Sequence, residues 1–122
     1  GVKIMMNILK DTSLYKQEFP RFELPKGVII PKGFKDISWH NDICPSFSNV
    51  DKNLVLYIDY DDLDEREEPD GKQFTLLFDS LDEDGCHHGH EKDEEQYYHT
   101  DSWDQVLELI ILKNSNENKY NN

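Results

Sequence analysis

Between Asn53 and Ser80 the chain alternates apolar and polar positions with the period of a β-strand, and it does so twice. In "NLVLYIDY", Leu54, Leu56, Ile58 and Tyr60 fall on one face, with Val55, Tyr57 and Asp59 on the other. "KQFTLLFDS" repeats the pattern, setting Phe74, Leu76 and Phe78 against Thr75, Leu77 and Asp79. The connection contains "EEPDG", whose Pro69 and Gly71 are turn formers, so residues 54–79 read as an antiparallel hairpin with a long acidic loop. "EQYYHT" is a shorter strand candidate, which makes the segment before it the next loop of a meander.

The period then changes to that of a helix. Trp103, Val106, Leu107, Ile110 and Ile111 recur at helical spacing, with Leu109 and Leu112 widening the stripe. Ser102 followed by Gln105 has the spacing of a capping box, and Asp101 and Asp104 lie where the helix dipole favours negative charge. A helix over 102–113 follows, covering the sheet; the polar ending "NSNENKYNN" reads as a flexible tail, 114–122. Nearer the start, "FPRFELPKGVIIPKGFKD" carries three prolines and two glycines, which excludes a helix. "DISWHND" alternates Ile37 and Trp39 with Ser38 and His40, predicting a strand ending near Asn41 with Trp39 in the core. Residues 5–19 fit a short helix or an extended arm equally. The expected architecture is a single α+β domain over 1–113, an antiparallel sheet of about four strands packed by the C-terminal helix.

Length agrees with that: 122 residues, 36% of them apolar, suffice for one modest core. No segment approaches the roughly 18 consecutive apolar residues of a membrane span, and "GVKIMMNILKD" lacks the flanks of a secretory signal. Cys44 and Cys86 are too few for a disulfide framework, so free thiols and a cytoplasmic location are expected.

Charge changes the picture most. The formal net charge is −13, and it is segregated: residues 59–108 hold 3 basic and 19 acidic residues, whereas residues 1–58 hold 8 basic and 6 acidic. The acids cluster in "DYDDLDEREEPD", "DSLDED" and "EKDEE". Such a balance argues against direct contact with nucleic acid or an anionic membrane and favours a basic protein or peptide as partner. Solubility needs far less charge, yet an acidic face serving solubility alone is the plain alternative. Tyrosines interleaved with the acids supply what charge does not, buried contact area. Partner contact is therefore expected from Tyr60, Asp61, Asp62, Asp64, Glu65, Glu67, Glu68 and Tyr97, as in an inhibitor, an immunity- or antitoxin-like protein, or a mimic of nucleic-acid charge.

A second candidate is the stretch "DEDGCHHGHEKDEEQYYH". Cys86, His88, His90 and His99 are residue types that bind zinc, although "CHHGH" lacks the second knuckle of a zinc ribbon. Surrounding carboxylates would raise the pKa values of His87, His88, His90 and His99 above the unperturbed value of about 6.5. They would also disfavour a Cys86 thiolate, and no orienting group accompanies Cys86 and His87, which speaks against nucleophilic catalysis. Neither acidic run has the EF-hand register. The residues name no reaction, and an enzyme is the less expected class.

Overall fold

A computed structural model describes residues 13–68, 70–78 and 96–120, with side chains through Lys113. Five strands form one antiparallel sheet in sequential order: β1 Lys35–Asp36, β2 Ser46–Asn49, β3 Leu54–Ile58, β4 Phe74–Phe78 and β5 Tyr97–Thr100. A short helix, α1 Leu14–Glu18, precedes the sheet, a 3-10 turn Leu63–Glu65 lies between β3 and β4, and α2 Trp103–Tyr120 follows β5. The α+β class and the hairpin agree with the hydrophobic pattern, with one more strand than the pattern predicts.

The register sorts the side chains into two faces. Leu56 pairs with Leu76 and Phe47, and Leu54 with Phe78, which places the apolar set of each strand together. Leu54, Leu56, Ile58 and Leu76 are fully buried, each contributing about 1.5–3 kcal/mol relative to an exposed side chain. Two covers lie on them. Phe19, Phe22 and Val28, with Tyr15 half-buried, close one part of the core, while Val106 and Ile110 of α2 close the other. The Trp103 ring tilts against Phe74 at 5.2 Å, seating the first turn of α2 at the start of β4. That turn is capped as the sequence implies: Ser102 Oγ accepts the Gln105 amide at 3.2 Å. The reciprocal partner differs, since the Ser102 amide donates to Thr100 Oγ1 at 3.0 Å. Helical backbone continues to Tyr120, past the expected end at 113, through residues that include neither proline nor glycine to stop it.

The strand expected to end near Asn41 stops instead at Asp36. The Asp36 carboxylate takes the Ser38 amide on Oδ1 at 3.0 Å and the Tyr15 amide on Oδ2 at 2.8 Å, turning the chain and tethering α1 to the sheet. Alternation is lost there, so Ser38 is buried and Trp39, expected in the core, is 51% exposed with its ring against His40 at 4.3 Å. The Ser38 hydroxyl accepts the Ser46 amide at 3.2 Å and folds residues 37–45 back along β2. β2 itself, Ser-Phe-Ser-Asn, is wholly buried without an apolar pattern to announce it. The tight β2–β3 turn needs Asn53 at φ 57°, a left-handed conformation that asparagine tolerates.

Candidate functional site

Alternation that sends Leu54, Leu56 and Ile58 into the core sends Val55, Tyr57 and Asp59 to the opposite face. Antiparallel pairing then sets Tyr57 beside Thr75 and Thr75 beside His99, a polar row across three strands. The Thr75 hydroxyl and His99 Nδ1 are hydrogen-bonded at 2.8 Å, and the Tyr97 and His99 rings lie parallel with centroids 6.2 Å apart. Val55 and Leu77, on the same face, are fully buried.

A concavity of about 400 Å³ opens on this row. Its floor is Tyr57, Thr75, Tyr97 and His99; one wall is Asn41 to Cys44, and the other comprises Asp59, Glu68 and Gly71 to Gln73. Both walls come from the same end of the sheet, where β1, β3 and β5 finish and β2 and β4 begin. Asp42, Asp59 and Glu68 bring carboxylates to the lining, Lys72 an ammonium and His99 an imidazole. Lys72 Nζ lies 3.5 Å from Asp101 Oδ2, which directs it toward the start of α2.

Burial shapes the chemistry of the lining. The Cys44 thiol is pushed far above the ordinary thiol range, first by burial and then by the charges of Asp59 and Asp42, so it is a neutral, unreactive wall. Burial likewise keeps the Tyr57 hydroxyl protonated well into alkaline pH. Asp59 is held above the usual carboxylate range by burial, with Glu67 and Glu68 adding to the effect; the Tyr60 amide on its Oδ1 at 2.8 Å and the nearby Arg66 oppose it. At the rim, Asp101 sits below the usual range because it accepts the Gln73 amide, at 2.9 Å, with Lys72 reinforcing this.

The acidic loop 59–72 is organised around its one arginine. Arg66 is 9% exposed; its Nε donates to the Tyr60 carbonyl at 2.6 Å and its Nη1 to the Gly71 carbonyl at 3.0 Å. Gly71 also donates its amide to the Glu68 carbonyl at 2.9 Å, and a Cβ there would come within 3.2 Å of that oxygen. The guanidinium is thereby committed to backbone, and the carboxylates of Asp61, Asp62, Asp64, Glu67 and Glu68 remain on the exposed side. Asp62 Oδ1 also accepts the Asp64 amide at 2.9 Å, capping the 3-10 turn. Glu65 alone of the loop acids forms an ion pair among the described residues, with Arg21.

Of the expected contact residues, Tyr60 packs its ring edge-on against Phe22 at 5.2 Å, part of the core's margin. Asp61, Asp62, Asp64, Glu67 and Glu68 share the exposed loop, Glu65 is turned to Arg21, and Tyr97 lies in the concavity. Cys86, His87, His88 and His90, the acidic runs 79–84 and 91–95, and their expected titration lie outside the described residues. His99 is on β5 facing Thr75, and no group of three metal-ligating side chains converges among the described residues. The sequence pattern missed two acids of the concavity, Asp59 and Asp42, and one pairing outside its lining. His40 has a partner 22 residues away, Glu18, whose Oε1 takes both His40 Nδ1 at 2.9 Å and the His40 amide at 3.1 Å and whose carboxyl is lowered by those bonds. Asp59 and Asp42 reach the concavity through strand register and a folded-back loop, which have no signal in local sequence. No helix among the described residues is long and apolar enough to cross a membrane.

No family model matches this chain, and no curated protein or solved structure matches it either.

Proposed function

We propose that the protein is a small binding module that presents the acidic loop 59–72 to a basic surface on another protein, in the manner of an inhibitor, an immunity- or antitoxin-like protein or a charge mimic. The observation carrying this reading is the commitment of Arg66. The loop's single arginine faces inward onto two carbonyls, so it fixes the backbone and leaves the carboxylates outside to act on a partner. A loop serving only solubility has no need of a buried guanidinium to hold its shape. Fixing the charges before encounter lowers the ordering cost of association.

Exposed charges attract over a Debye length of about 8 Å at physiological ionic strength, so such binding weakens with salt. A hexa-arginine peptide serves as the probe, followed by calorimetry at low and high salt. The triple variant Asp61→Asn, Asp64→Asn, Glu67→Gln is expected to bind it about tenfold or more weakly at low salt and to flatten the salt dependence. Equal affinity for wild type and variant, or affinity insensitive to salt, overturns the reading.

A further inference from the structure

We infer that the concavity on the sheet face opposite the core is a receptor for one cationic side chain, a guanidinium or ammonium, of the protein partner. Resting on the anionic-surface reading above, this assigns the loop and the concavity different work: the loop draws the partner in, and the concavity seats a single residue of it.

Three observations support it. The lining combines carboxylates with aromatic rings, Asp42, Asp59 and Glu68 with Tyr57 and Tyr97, the pairing that holds a cation by charge and by the negative face of a ring. The volume of about 400 Å³ admits a long side chain with part of its flanking peptide. Asp59 has no ion-pair contact among the described residues: its nearby cation, Arg66, donates to the Tyr60 and Gly71 carbonyls, and its charge offsets the burial of the carboxylate only in part. Burial and neighbouring acids accordingly hold the Asp59 carboxyl above the usual range, and an incoming cation would relieve that. Lys72 and His99 are the opposing groups in the lining. Lys72 is drawn to Asp101 and His99 is hydrogen-bonded to Thr75, so neither neutralises the Asp59 side by contact. Cys44 and Tyr57, both kept neutral by burial, add no charge to the lining, so its carboxylates are the acceptors a cationic head group needs.

The test uses the full chain, labelled for amide NMR, with Nα-acetyl-arginine methylamide, Nα-acetyl-lysine methylamide and the citrulline analogue, which keeps the shape of arginine without its charge. A cationic probe is expected to shift the amides of Ile43, Cys44, Asp59, Gln73, Thr75 and His99 saturably, the tighter of the two identifying the head group. Citrulline should bind about tenfold or more weakly, and Asp59→Asn should weaken the cationic probe to a similar degree. Asparagine keeps an oxygen for the Tyr60 amide, and the exposed substitution Glu68→Gln supplies a second variant if Asp59→Asn perturbs folding. Equal binding of citrulline, or shifts confined to residues 61–67, overturns the receptor. The two proposals fail separately. Hexa-arginine binding that ignores the loop variant sinks the loop's role while probe binding in the concavity survives. Hexa-arginine binding that ignores Asp59→Asn, with no probe binding, sinks the concavity and leaves the loop.

Discussion

The two faces of β3 are made by the same five residues and do opposite things. Leu54, Leu56 and Ile58 face the helices and lie in one continuous apolar cluster; Val55 and Tyr57 face the other way, where Tyr57 meets Thr75 and polar groups line a concavity. On the first face side chains are interchangeable within limits of volume, and hydrophobic burial sets the energy. On the second, burial first and neighbouring charges second set the protonation of Cys44, Tyr57 and Asp59. The second face is apolar and buried at Val55 and Leu77 and turns polar toward the end of the sheet where the concavity opens.

Substitutions sharpen the contrast. Leu56→Ala removes a fully buried side chain at the centre of the sheet and is expected to lower unfolding free energy by about 2–5 kcal/mol, measured in urea. Its paired test on the other face, Thr75→Val, should change stability by under about 1 kcal/mol; a comparable loss at both positions would erase the distinction between the faces. Next in size is Arg66→Met, which keeps the apolar stem but leaves the Tyr60 and Gly71 carbonyls without their donor. A loss of about 1–3 kcal/mol is expected, with faster hydrogen exchange in the loop than in the sheet. The smallest effect has the opposite sign. Because Asp59 is raised in the folded state, its ionised form opposes folding above the carboxylate range and its protonated form does not. Asp59→Asn should therefore stabilise the protein at pH 7, and the gain should vanish as pH falls and the native Asp59 takes up its proton. Thermal melts across that range check the sign; a gain that persists in acid would assign it to packing instead.

Much of the core was legible because its signal is local. The hairpin strands, β5 and the start of α2 follow from alternation, helical spacing and a serine cap, each contained within a few neighbouring residues. Trp39 misled because alternation continues past the point where Asp36 ends the strand with its carboxylate. β2 had no apolar pattern to find: Ser46 is held from segments earlier in the chain, its carbonyl accepting the Ile37 amide at 2.9 Å and its amide donating to the Ser38 hydroxyl at 3.2 Å. The site was legible in its charges and not in its shape. Asp61, Asp62, Asp64, Glu67 and Glu68 stand out as a run, but that Glu65 turns to Arg21 and Tyr60 to Phe22 depends on a segment some forty residues earlier.

By itself the sequence determined the apolar faces of β3 and β4 and where negative charge accumulates, since the first are periodic over a few residues and the second follows composition. Tertiary structure alone decided that Arg66 faces inward and that Asp42, Asp59 and two tyrosines share one concavity. The physical reason is that hydrogen-bond partners and strand register are settled between segments distant in the chain, where no local pattern records the choice.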